Sequence, residues 1–337
     1  MLERGISDVR YFYELKQFIE TPVYGFTNIN VTDTDNPYNR IIKDPKIEYK
    51  YFCYRYLRYI RTFKIHDIPL NSDKETVLIE SREYPHLEFV IRNTILKLPQ
   101  DWSHTVVCTK NNREYMTKMC ANISKNIKIV TLDCENITVN QYSSLLASKL
   151  FWNNFVGEKI LIYQDDTCIF KSNIDDFLQY DYIGAPWLKS QNDNYYLVGN
   201  GGLSLRSKSA TLKVIDTVSI FDTKYNSSTL AYIKLHSLST PMEDVYFSKN
   251  IIDYNLGIVA NYDTALLFSC ESVRKKKKIN NCDPDHDDDD DDYIVPVGGH
   301  CWWHGKKNWK KMLYDNVVVQ MAPQIHHTDI LNIIEHR

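Results

Sequence analysis

The chain has 337 residues, 43% of them hydrophobic and 25% charged, with a formal net charge of −3 at pH 7. That length can bury a large core, and the composition is ordinary for a globular fold. The charge imbalance sits in one stretch, the basic run 274–278 and the eight aspartates within 283–292, so the remainder is neutral and nothing in the charge suggests a bulk nucleic-acid binder. No apolar run approaches the roughly 20 residues of a membrane span, and Met1-Leu2-Glu3-Arg4 opens no signal peptide. The eight cysteines are dispersed without a Cys-x-x-Cys pair, so the expectation is a cytoplasmic protein with free thiols.

Residues 1–72 read as a partly helical N-terminal extension. Asp33-Thr34-Asp35-Asn36-Pro37 is turn-rich, and 49–65 form an amphipathic helix with Phe52, Tyr56, Tyr59 and Phe63 on one face. Arg55, Arg58, Arg61 and Lys64 line another face, either as solvated charges or as a basic stripe for an acidic acceptor or membrane surface. No function attaches to this arm from sequence.

From residue 73 onward the pattern alternates strand and helix. Strands are expected at 76–80, 104–109, 127–132 and 159–164. Between them lie helices over 87–98, 113–123 and 141–155, the first carrying Leu87, Val90, Ile91, Ile95 and Leu98 on one side. This β-α-β-α-β-α-β order requires parallel strands joined by right-handed crossovers, the architecture of a nucleotide-binding half. The charge blocks 275–278 and 287–292 have no apolar content that could offset ordering entropy, and the insertion 274–292 is expected to be a disordered loop within one domain spanning 73–337.

The strand over 159–164 ends in Asp165 and Asp166, two adjacent carboxylates at the sheet edge where ligands of α/β folds bind. Side by side they repel, and a divalent cation carrying a phosphate would relieve that repulsion. The strand end is expected to face solvent in the free protein. Further along come Tyr182-Ile183-Gly184-Ala185-Pro186-Trp187, then Gly199-Asn200-Gly201-Gly202-Leu203-Ser204-Leu205-Arg206, then Glu243-Asp244, then Gly298-Gly299-His300-Cys301-Trp302-Trp303-His304.

In that order these segments resemble the GT-A glycosyltransferases, and most of all a family of GT-A-like glycosyltransferases carrying Gln-x-Asp, Tyr-Ile-Gly-Ala-Pro-Trp and Gly-Asn-Gly-Gly-Leu-Ser-Leu-Arg. The likeness runs roughly from Lys74 to Trp309, with the glycine segment its most specific part. It implies an α/β fold of GT-A type, a Rossmann-like half with a mixed sheet and helices on both faces. One departure is plain: the Asp-x-Asp frame reads Gln164-Asp165-Asp166, so its first acid is Gln and Asp166 inherits the metal-facing position. Asp165 then faces the other side of the chain, toward a ribose or a loop.

The implied chemistry is metal-dependent transfer of a sugar from a nucleotide-sugar donor, UDP-linked by expectation, to a hydroxyl of a glycan or glycoprotein. Asp166 and His300 would hold Mn²⁺ or Mg²⁺, with His304 competing for the role of His300. Asn200, Gly201 and Gly202 would let the main chain approach the sugar, while Glu80, Arg82, Lys149 and Asp165 would meet the nucleotide. Trp187 and Trp302 are expected on the acceptor side. In the resembling enzymes the Glu-Asp pair lies beside the acceptor hydroxyl, so Asp244 or Glu243 would be the general base of an inverting displacement. A nucleotidyltransferase, or a silent sugar-binding module, would use many of the same residues.

Overall fold

The computed structural model describes residues 44–187, 198–273, 293–304 and 308–321. The expected linker at 33–37 and the charged insertion 274–292 lie outside them. In chain order the elements are α1 (Pro45–Ile60), β1 (Lys74–Ile79), α2 (Leu87–Lys97), β2 (Ser103–Thr109), α3 (Arg113–Ala121), β3 (Lys128–Leu132), α4 (Val139–Leu146), α5 (Lys149–Trp152) and β4 (Lys159–Tyr163). There follow β5 (Thr167–Ile169), β6 (Tyr182–Pro186), β7 (Val198–Ser207), α6 (Lys208–Thr217), α7 (Ser227–Leu235), α8 (Glu243–Asp253), α9 (Tyr262–Phe268), β8 (Ser269–Cys270), β9 (Gly298–His300) and α10 (Trp309–Leu313).

The fold is mixed α/β. A six-stranded sheet runs in the order β3-β2-β1-β4-β7-β6. The first four strands are parallel, and β7 returns antiparallel against β4 with Tyr163 opposite Leu203. Side chains alternate across the sheet as the period of a strand requires. On β4, Leu161 and Tyr163 join a core built with α1, α2 and α3, whereas Ile160 and Ile162 join a second core with α4, α5, α6 and α8. A small sheet, β5-β9-β8, stands at the carboxyl end of β4 and pairs Thr167 with His300.

The four strands and the order of alternation agree with the sequence reading. The helix expected over 141–155 is instead two helices, α4 with a Thr138–Gln141 capping box and α5 beginning after Ser148. The break is held by the Trp152 indole, whose Nε1 donates to the Leu146 carbonyl at 2.7 Å and takes it out of the helical ladder.

Helix α1 begins at an Asp44 cap followed by Pro45, and its aromatic face packs into the main core. The Tyr49 ring meets Trp302 edge-on with centroids 4.9 Å apart. Its hydroxyl donates to the Thr167 carbonyl at 2.6 Å, which ties the helix to the turn after β4.

Candidate active site

Gln164 through Thr167 make a tight turn between β4 and β5, closed by Thr167 N–H donating to the Gln164 carbonyl at 3.1 Å. The turn splays the two carboxylates apart. It does not leave them in solvent as expected: Asp165 is 4% exposed and Asp166 3%. The reason is α1, whose lysines four residues apart share one helical face and reach both acids. Lys50 Nζ lies 3.1 Å from Asp165 Oδ2, and Lys46 Nζ lies 2.8 Å from Asp166 Oδ2.

Asp165 also faces Arg82 Nη2 at 3.3 Å and His86 Nε2 at 3.5 Å. Burial raises its carboxyl, but His86, Lys50 and Lys46 outweigh this and hold it well below the usual range. Glu80 is buried beneath and takes Arg82 Nε and Nη2 at 2.7 Å each, while the guanidinium covers the Tyr84 ring at 4.7 Å. Arg82 thus stands half-exposed at the rim.

On the other side, His300 Nε2 lies 3.2 Å from Asp166 Oδ1, and Cys301 Sγ lies 3.1 Å from Oδ2. Opposing the cost of burial, His300 and Lys46 hold Asp166 ionised, and Asp166 in turn keeps the imidazole protonated well above its ordinary range. Neither Asp166 Oδ1 nor His300 Nδ1 has an aligned hydrogen-bond partner among the described residues, although both are buried. Adjacent residues on a strand point to opposite faces, yet His300 and Cys301 both face Asp166. Cys301 has φ of 48°, a left-handed conformation that costs a non-glycine residue energy and turns its thiol back.

Ligand atoms of Asp166, His300 and Cys301 lie within 4.8 Å of one another. This set, in which Asp166 Oδ1 has no aligned hydrogen bond, fits a small divalent cation once Lys46 withdraws from Oδ2. His304 is exposed and outside the cluster, whereas His300 lies in it.

The glycines of β7 join this cluster to a second one. A Cβ on Gly202 would come within 2.4 Å of three His300 ring atoms, so the imidazole lies flat on that glycine. A Cβ on Gly201 would stand 2.5 Å from Glu243 Oε1. The space these glycines leave is therefore filled by site side chains of the protein itself. Asn200 fixes the loop, accepting from Gly202 N–H at 3.0 Å and donating to Glu271 Oε1 at 2.7 Å.

Helix α8 opens with the acidic pair, and its cap Met242 offers no side-chain acceptor. The two acids are treated differently. Glu243 receives both guanidinium nitrogens of Arg206, at 2.6 and 3.1 Å, and Arg206 is sealed at 0% exposure under Tyr182 and Phe247. Asp244 is partly exposed, accepting from Gly201 N–H at 3.2 Å and from Val245 N–H at 2.7 Å. Burial first and Glu243 second push its carboxyl up to about 7, against the pull of those N–H groups and Arg206. The Tyr142 hydroxyl is buried near both acids and has no aligned partner among the described residues.

Other expected residues fall elsewhere. Lys149 pairs with Asp216 across α5 and α6 and is not brought to the carboxylates. Trp302 has no exposed surface and anchors the aromatic cluster of Tyr49, Phe170, Trp303 and Trp309, so it cannot face an acceptor as expected. Trp187 closes β6 and packs over Gly199. Sequence reasoning missed Lys46, Lys50, Cys301, Glu271 and Tyr142. Only the two lysines had a usable signal, their spacing behind a proline at a helix start.

Residues 126–284 match a family model described as "Protein of unknown function (DUF5672)". No curated protein matches the chain. Solved structures to which it is similar include the inositol-1-phosphate CTP transferase from T. maritima, at 11% identity and TM-score 0.35, covering 58% of this chain and 87% of that one. Another is the mannosyltransferase PcManGT from Pyrobaculum calidifontis in complex with GDP-Man and Mn²⁺, at 13% identity and TM-score 0.31, covering 50% of this chain and 54% of that one. A third is the glycosyltransferase GlyE of Streptococcus pneumoniae TIGR4, at 10% identity and TM-score 0.33, covering 57% of this chain and 46% of that one. The similar region thus spans about half the length of the last two.

Proposed function

We propose that the protein is a metal-dependent glycosyltransferase, moving a sugar from a nucleoside-diphosphate donor to a hydroxyl of a glycan or glycoprotein with inversion. The observation that carries this reading is the placement of two clusters on neighbouring residues of β7: His300, which faces Asp166 at 3.2 Å, lies on Gly202, and Asp244 lies against Gly201. A cation-binding group and a carboxylate outside any ion pair with Arg206 so placed could act on the two ends of one transfer.

Asp166 and His300 would hold the divalent cation, which when bound neutralises charge gathering on the diphosphate as the glycosidic bond breaks. Arg82, half-exposed at the rim and anchored by Glu80, would contact the donor phosphates or base. Asp244 would take the proton of the acceptor hydroxyl. Its carboxyl, raised to about 7, is matched to that task near neutral pH. Glu243 would act through Arg206 and Gly201 to position Asp244, since both its oxygens are engaged. Asn200 and Glu271 would hold the loop on which the sugar rests.

One observation favours a second reading, a binding module without turnover: Lys46 and Lys50 already neutralise the two carboxylates. Calorimetry with UDP and related nucleotides, with and without Mn²⁺, tests the first. Nucleotide binding that needs the cation and vanishes in Asp166→Ala supports it, whereas cation-independent binding unchanged in that variant removes the metal from the account.

A further inference from the structure

The cation site described above is read from Asp166 and His300, and the identity of the third donor decides which cation it selects. Asp166 brings one negative charge and His300, as a ligand, none. A divalent ion held by these two alone keeps one excess positive charge in a pocket whose walls are buried and where Lys46 and Lys50 already add to the positive potential. A second anionic donor from the chain would balance it. Gln164 contributes no charge, Asp165 is engaged by Lys50 and Arg82, and Glu271 accepts from Asn200 and stands on the Nδ1 side of His300, 3.8 Å from that nitrogen and away from Nε2, which faces Asp166.

Cys301 is the remaining donor. Its Sγ stands 3.1 Å from Asp166 Oδ2 and 3.7 Å from His300 Nε2, and all three ligand atoms fall within 4.8 Å of one another. Its position has a conformational cost, because φ of 48° is unfavourable for a side chain other than glycine. An ordinary extended residue there would direct the thiol away from Asp166. The backbone N–H of Cys301 also donates to the Asp166 carbonyl at 3.3 Å, which fixes the kink against the acid turn. Three protein donors of mixed O, N and S type suit a borderline cation, and thiolate discriminates against the hard ions Mg²⁺ and Mn²⁺.

We infer that Cys301 is a third ligand of the Asp166–His300 site, as thiolate, and that the site therefore selects a borderline divalent cation of the Zn²⁺ or Co²⁺ class over Mn²⁺ or Mg²⁺. This rests on the cation reading given above. Binding breaks the S–H bond, releases its proton to solvent and forms a sulfur–metal bond, with no change of oxidation state. The Lys46 ammonium leaves Asp166 Oδ2 as the cation enters; at 40% side-chain exposure it has water to move into.

The test is titration of the full-length protein with Co²⁺, followed by absorption and calorimetry, beside a Cys301→Ser variant. The wild type should show a thiolate-to-cobalt charge-transfer band in the near ultraviolet, saturating at one equivalent, and should bind Zn²⁺ more tightly than Mn²⁺. Cys301→Ser should lose the band while still binding Co²⁺, with Zn²⁺ affinity reduced by at least the roughly 10- to 100-fold that follows loss of a residue merely orienting a ligand. Co²⁺ binding without the band, or a band that survives in Cys301→Ser, overturns the role of Cys301 and leaves Asp166 and His300 standing. Absence of Co²⁺, Zn²⁺ and Mn²⁺ binding in the folded wild type overturns the cation reading together with the inference.

Discussion

Lys46, in the first turn of α1, places its ammonium 2.8 Å from the Asp166 carboxylate. The segment to which sequence assigns no function is therefore wired into the acid turn, and the repulsion between Asp165 and Asp166 is relieved by the chain itself. A cation entering at Asp166 competes with this lysine. Lys46→Ala should tighten divalent-cation binding, measured by calorimetry, and should cost less stability than loss of a fully buried pair, because the Lys46 side chain is 40% exposed and His300 still faces Asp166. Weaker cation binding in that variant would show that Lys46 supports the site.

Lys50 should behave in the opposite way. It and Asp165 are each 5% exposed in their side chains. Removing one partner of a buried pair strands the other, at a cost of about 3 to 5 kcal/mol. Urea unfolding of Lys50→Met should show a loss of that order, and a loss below about 1 kcal/mol would mean that Arg82 and His86 suffice for Asp165.

The same reasoning applies to Arg206, sealed against Glu243. Arg206→Met alone should destabilise by about 3 to 5 kcal/mol, and Arg206→Met with Glu243→Leu should recover much of it, since a buried pair can often be replaced by apolar groups. The double variant is also informative for function. If Glu243 only positions Asp244, it should raise the acceptor KM or lower kcat without changing donor affinity.

Gly202→Ala would drive a methyl group into the His300 ring, which lies 2.4 Å from the position of that carbon. The imidazole must then shift off Asp166. The expected outcome is a folded protein with cation affinity lowered at least about tenfold, as for loss of a positioning partner. Unchanged cation affinity would separate His300 from the site.

Asp244 links function to pH. Its folded-state pKa of about 7 lies above the ordinary value of 3.8, so between those values the folded protein holds a proton that the unfolded chain has released. Stability should accordingly fall as pH rises from about 4 to 7, and Asp244→Asn should flatten that slope. Activity should run the other way, rising through pH 7 as the base deprotonates. Asp244→Asn should depress kcat by roughly 10² to 10⁴ with nucleotide-sugar affinity nearly unchanged.

The strands were legible because β1, β2 and β4 are buried on both faces and read as apolar runs, and the adjacent carboxylates marked the sheet's ligand edge. His300 was within reach because the paired glycines before it announce a close backbone approach. Cys301 was not, since only its left-handed φ defeats the alternation that would send the thiol to the other face. Glu271 and Tyr142 reach the site through tertiary packing across long sequence gaps, and no local period records that. Trp302 misled for the complementary reason: a tryptophan beside a ligand histidine can equally be the floor of the core, and burial alone separates the two.

The most direct test of the central claim is turnover by the purified protein, with divalent cation, of a panel of nucleotide sugars without added acceptor and, in parallel, of nucleoside triphosphates with sugar phosphates, measured by product identity. The account predicts slow, cation-dependent release of nucleoside diphosphate and free sugar from at least one donor, abolished in Asp166→Ala and strongly reduced in Asp244→Asn. Release of pyrophosphate from a nucleoside triphosphate and a sugar phosphate would place the attack at phosphorus and contradict it. So would donor binding without turnover across the whole panel.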